Sequence, residues 1–196
     1  MVWRQRRVVG VFTTCTATVL MLAWHARWTI VLTMCAGLSP IQYNAAVLFL
    51  LTGIDMSLPT ILRSKHRALP SIIVTLAAVT LAQDITPIEA QVDILLHSPY
   101  LTDVPSPGRM APSAAICFIC YGIGRFRRLG DYSLIGLGIS GLAAVGYATE
   151  TPDLYHWSPG VTPIAMPAAL MFVVVFASEH WSRRTDLLEF KRCSTN

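Results

Sequence analysis

Basic residues in this chain fall in alternate gaps between apolar runs, and no other feature restricts its fold as much. Arg4, Arg6 and Arg7 precede the first run, and Arg63, Lys65 and Arg67 follow the second. Arg125, Arg127 and Arg128 follow the fourth, and Arg183, Arg184, Lys191 and Arg192 follow the sixth. The runs are 8–26, 40–62, 69–85, 110–124, 132–148 and 163–178. Read as membrane spans, they place all four clusters on one side, which the positive-inside rule makes cytoplasmic. The opposite loops carry Asp84, Glu89, Asp93, Asp103, Glu150 and Asp153. Composition agrees: 54% of the residues are hydrophobic and 13% charged, against about 25% charged in soluble domains. The expected fold is an all-α integral membrane protein of about six transmembrane helices with both termini cytoplasmic. An outer loop spans 86–109 and a short cytoplasmic tail spans 179–196. Several runs are shorter than the roughly 20 residues of a full span and must borrow turns from their flanks. The N-terminus has a basic start and an apolar run without a small-x-small cleavage pattern, so it reads as an uncleaved first helix. Residues 28–38 either extend that helix or lie along the outer interface, with Trp24 and Trp28 as anchors.

One line is written more than once. "SPIQYNAAVLF" starts at Ser39, "TPIAMPAALMF" starts at Thr162, and a weaker copy, "MAPSAAICF", ends at Phe118. Ser39 and Thr162 read as helix N-caps, with Pro40 and Pro163 at the first helical position. Thr86-Pro87-Ile88-Glu89 repeats the device at the start of the outer loop. The paired alanines Ala45/Ala46, Ala114/Ala115 and Ala168/Ala169 precede Phe49, Phe118 and Phe172 by about one turn. Small residues of this kind allow close helix approach in lipid. "FLLTGI" also matches "FICYGI" at Phe, Gly and Ile. The repeat therefore predicts duplicated helical hairpins, each an outer cap, a helix inward, a basic turn and a helix outward.

The stretches "YNAAVLFLLTG", "PSPGRMAPSAAICFICYGIG" and "PIAMPAALMF" resemble the multi-pass input domains found ahead of bacterial histidine kinases and diguanylate cyclases. The likeness covers about Pro40 to Ala177, and it implies a bacterial cytoplasmic membrane and a sensory origin. It carries over no ligand and no catalytic residue. After the sixth run only "EHWSRRTDLLEFKRCSTN" remains, which is too short for an output module.

Asp55, in "TGIDMSLP", is an intramembrane acid and hence a functional candidate by default. Arg63 lies two turns on, and the competing expectation is an Asp wetted near the headgroups. Cys117 and Cys120 form a CxxC inside an apolar helix, where packing is expected over redox or zinc chemistry. Asp93, His97, Asp153 and His156 are weak metal candidates in the outer loops, without a ligand spacing of known type. The outer segment Pro87–His97 reads as a short amphipathic helix, and Tyr155 and Trp157 as interfacial anchors. Gly136, Ser140 and Ala144, four apart, form a helix-packing stripe. Trp181, Leu187, Leu188 and Phe190 alternate with charges, which suggests an interfacial or docking segment.

No nucleophile–base grouping or phosphate loop is present, so the expectation is a non-enzymatic chain. No cofactor is predicted, although the apolar faces suit lipid or pigment, and nothing points to nucleic acid. The expected partners are membrane lipids and other integral membrane subunits. The leading expectation is an accessory or scaffolding subunit of a larger membrane complex, with a photosynthetic or respiratory assembly as one host. A sensor acting through a separate output protein is the alternative, and a small transporter the third.

Overall fold

The computed structural model describes residues 2–35, 38–86, 108–126, 131–158 and 160–194, and among these it is all-helical, with no strand. In chain order the helices are α1 (Val2–His25), α2 (Thr29–Thr33), α3 (Tyr43–Ser57), α4 (Thr60–Lys65), α5 (Ala68–Ile85), α6 (Pro112–Phe126), α7 (Tyr132–Ala148) and α8 (Met166–Ser194), with a 3₁₀ turn at Pro152–Leu154. Two helical stretches, Arg4–His25 and Ala68–Ile85, are long and apolar enough to cross a membrane. Helices α3, α6 and α7 are apolar but shorter.

The repeated line lies on α3, α6 and α8, and these three form the centre. Phe49, Phe118 and Phe172 meet one another with ring centroids 4.8, 4.5 and 4.7 Å apart, a nearly equilateral triangle. The alanine pairs are matched as closely: in each, the first alanine is 2% exposed and the second fully buried. Ala46, Ala115 and Ala169 donate their first helical bonds to Gln42, Ala111 and Ala165 at 3.1, 3.0 and 3.0 Å. The chain therefore has three related units about an approximate threefold axis, with the weakest sequence copy a full member.

Each central helix packs most extensively against the long helix that precedes it: α3 on α1, α6 on α5, α8 on α7. This differs from the expected hairpin closed by the basic turn. The contacts that close each pair are small residues. A Cβ on Gly53 would stand 2.4 Å from Thr14 Oγ1, and one on Gly122 would stand 2.2 Å from Val74 Cγ2. In the third unit the roles swap, with Phe176 on α8 occupying the space that Gly136 of α7 leaves, 2.2 Å from where its Cβ would be. The α7 packing face is Ser133, Gly136, Ser140, Ala143 and Gly146. Ala144, expected on that stripe, is half-exposed, because the face follows the 3.6-residue period and not a strict four.

Two further expectations are corrected. Ser39 and Thr162 do not cap helices: α3 begins at Tyr43 with extended Gln42 before it, and α8 begins at Met166. Segments 39–42 and 162–165 instead run across the cap end of the bundle. Ile41 N–H donates to Leu32 O (2.9 Å) and Ile164 N–H to Tyr155 O (3.2 Å). Their carbonyls accept from Trp24 Nε1 (2.8 Å) and Tyr147 Oη (2.5 Å), each 17 residues upstream. Trp24 is thus buried and no interfacial anchor, whereas Trp28 is exposed. Residues 28–35 turn away from α1 at Arg27, which has φ 56, and α2 buries Leu32 against the bundle. Tyr155 stacks on Tyr147 at 4.0 Å, while Trp157 stays exposed.

Second, the helix from Tyr43 does not reach Leu62. It stops at Leu58, which precedes Pro59 and takes the extended conformation that such a position favours. Helix α4 then starts a new direction. At the other extreme, α8 passes position 178 without a break and runs for 29 residues.

Candidate functional site

The break at Pro59 builds the most concentrated polar site among the described residues. Eight residues along one helix would separate Asp55 and Arg63 by about 12 Å. With the chain turned at Leu58–Pro59, Arg63 Nε comes within 3.2 Å of Asp55 Oδ2. Asp55 is fully buried, and the same oxygen accepts from Arg125 Nε at 2.7 Å and from Tyr121 Oη at 2.6 Å. Arg125 Nη2 reaches Asp55 Oδ1 at 3.4 Å and the Arg63 carbonyl at 2.8 Å. Arg63, itself buried, donates through Nη2 to Glu179 Oε1 at 2.6 Å and to Tyr121 Oη at 3.3 Å. Arg183 Nη2 closes the group by donating to the Gly124 carbonyl at 2.6 Å.

Helix periodicity explains who is present. Tyr121 and Arg125 are four apart on α6, and Glu179 and Arg183 four apart on α8, so each pair shares one face. Counted from the three phenylalanines, Asp55, Gly124 and Ser178 occupy one equivalent position, and Met56, Arg125 and Glu179 the next. The units agree in their apolar layer and part company at the polar one.

Asp55 and Glu179 together balance Arg63 and Arg125, which a buried group requires if desolvation is to be offset. Nearby, Asp131 lies 2.8 Å from His180 Nδ1 and accepts from Ser133 Oγ. Its partial burial acts upward, but Ser133, His180 and Arg183 hold its carboxyl below the usual range.

Asp55 is therefore neither wetted nor alone, as the headgroup expectation would have it. It is the acceptor shared by three donors from two other helices. Tyr121 and Glu179 are the members that sequence reasoning missed. Superposing the three repeats would have pointed to Glu179, since it falls in register with Arg125. Cys117 and Cys120 are buried, with Cys117 Sγ 3.9 Å from the Gly136 carbonyl. Asp153 is exposed and His156 half-buried, and Asp93, His97 and the segment Pro87–His97 lie outside the described residues. Among the described residues no three His, Cys, Asp or Glu side chains converge.

At the opposite end of the axis the three pre-helical segments close round a small recess, to which every unit contributes. Chemically, the charged group can lock four helices together, α3, α4, α6 and α8, and its release needs several strong bonds to exchange at once. The chain matches no protein-family model, no curated protein and no solved structure.

Proposed function

We propose that this chain is a six-span sensory input module of a bacterial cytoplasmic membrane, with both termini cytoplasmic, which passes a change in helix packing to an output protein. The reading rests on α8. This one uninterrupted helix starts at the recess, crosses the phenylalanine triangle, carries Glu179 of the charged lock and continues to Ser194. A rigid element joining two ends of a bundle is what transmission of a packing change needs.

Membrane insertion is supported by an inverted distribution of polarity. Charged Asp55 and Arg63 are interior, while Val8, Phe12, Val19, Leu22, Ile72, Leu134, Ile135, Leu142 and Val145 face outward. Intramembrane charges are tolerated when paired inside a bundle in this way. The resemblance to input domains noted above points in the same direction.

The test is a fusion of a diguanylate-cyclase catalytic domain in helical register after Ser194, with product formation compared between the parent and Glu179→Gln. The reading expects at least a severalfold change in output at equal membrane abundance. Equal output from both would remove it. A second reading, an accessory subunit of a larger assembly, is favoured by the α7 surface, where Gly138 and Gly141 have nothing near them beside exposed Leu142 and Val145. Migration within a large complex at fixed stoichiometry after gentle extraction would establish it.

A further inference from the structure

Helix α4 has two unlike faces. Arg63, 4% exposed, points into the bundle, where it bonds Asp55 and Glu179. Ile61 and Leu62 are 73% and 44% exposed, and Lys65, His66 and Arg67 behind them are exposed as well. Large apolar side chains turned outward beside a run of basic ones suit a segment lying at a membrane interface. The apolar surface continues on either side, through exposed Ile54 on α3 and Ile72 on α5.

Two further observations set the level of this face along the bundle. Trp181 is 58% exposed and stands about 3 Å of helix rise beyond Glu179, the α8 partner of Arg63. Exposed tryptophan favours the headgroup level. Helices α1 and α3 run antiparallel, with Gly53 against Thr14 and Gly10 against Ser57, just ahead of the break at Pro59. Exposed Arg7 and Arg4 therefore lie farther toward the α4 end. Among the side chains described at this end, the acids Asp55 and Glu179 are buried, and Asp131 is engaged by His180 and Ser133. The exposed charges described there, Arg4, Arg7, Lys65, Arg67 and Arg184, are all positive.

We infer that the outward face of α4 binds anionic phospholipid. Lys65 and Arg67 hold the headgroup phosphates, and Ile61 and Leu62 sit among the first acyl carbons. The phosphates supply the negative charge that this end of the molecule lacks on its described surface. Because the opposite face of α4 is Arg63, the lipid contact and the charged lock share one short helix. The inference rests on the membrane placement proposed above and not on signal output.

The test places a bimane fluorophore on Leu62→Cys, in the full chain with its native cysteines replaced. The chain is reconstituted in phosphatidylcholine nanodiscs containing a fixed share of phosphatidylglycerol. Bromine, the quencher, is carried on the acyl chains either of the phosphatidylglycerol or of an equal amount of the phosphatidylcholine. Quenching should be at least about threefold stronger from brominated phosphatidylglycerol, and high salt should reduce that preference. Lys65→Gln/Arg67→Gln should abolish it at unchanged helical content. Arg4→Gln/Arg184→Gln, which removes the same charge from the same end, should keep at least about half of it. Ile61→Cys, the second outward position, repeats the measurement. Equal or absent quenching by the two lipids, or as large a loss in Arg4→Gln/Arg184→Gln, would overturn the inference and leave the membrane placement standing. A chain that stays out of the discs would overturn both.

Discussion

Asp55 accepts from Arg63, Tyr121 and Arg125, so its removal would leave two guanidiniums in a low-dielectric interior. Breaking such a pair costs about 3–5 kcal/mol, and Asp55→Ala should lower unfolding free energy in detergent by that order. Adding Arg125→Met to it should return part of the loss, because the double variant buries one cation fewer. A double variant as unstable as the sum of the singles would mean the two residues act independently. Glu179→Gln keeps a hydrogen-bonding group facing Arg63 and should cost less, about 1–3 kcal/mol. From sequence, Asp55 was identifiable by its place in an apolar run, and Arg63 by proximity. Tyr121 was not, because it stands 66 residues from Asp55 and only the fold brings it near, and Glu179, 116 residues from Arg63, was reachable only by superposing the repeats.

The helices meet through a few positions that permit no side chain. A Cβ at Gly53 would clash with both Thr14 Oγ1 and the Thr14 amide, so Gly53→Val must push α3 away from α1. A loss of at least about 2 kcal/mol is expected from such overpacking. Gly138 is the contrasting case, with open space around it; Gly138→Ala should be neutral or stabilising by about 0.5–1 kcal/mol. Comparable midpoints for the two variants would refute the packing argument. The start of α7 is tied to α8 through Asp131 and His180. Since the Asp131 carboxyl is held below its usual range, its contribution is complete above the unfolded carboxylate pKa and is lost as pH falls through the folded value. Asp131→Asn should therefore flatten the acid limb of a stability–pH profile, by lowering stability at neutral and alkaline pH while leaving it unchanged at the acid end. Element boundaries were only partly legible. Pro59 announced a break that the apolar run concealed, and Ser39-Pro40 imitated a cap because an N-cap and an extended crossing segment favour the same residue types.

Across the whole molecule, the three-unit plan was partly legible from the repeated alanines and phenylalanine, whose spacing survives in all three central helices. The pairing of helices was not, because α1, α5 and α7 share no motif. Their outward faces need only be apolar, and many sequences satisfy that. The proposed six-span topology can be checked by single-cysteine labelling in a background without the native cysteines. Cysteine at exposed Arg67 should react from the cytoplasmic side alone, and cysteine at exposed Trp157 from the opposite side alone. Labelling of both from one side would remove the six-span topology.

The phenylalanine triangle has a mechanical meaning for α8. A stiff helix gripped at Phe172 is a lever whose arms, at 1.5 Å per residue, measure about 9 Å back to Met166 and about 33 Å on to Ser194. A tilt that displaces the short arm by about 0.5 Å swings the far tip by about 2 Å in the opposite direction, so an adjustment the size of a bond-length fraction beside the alanines becomes a shift wide enough to re-register a neighbouring helix.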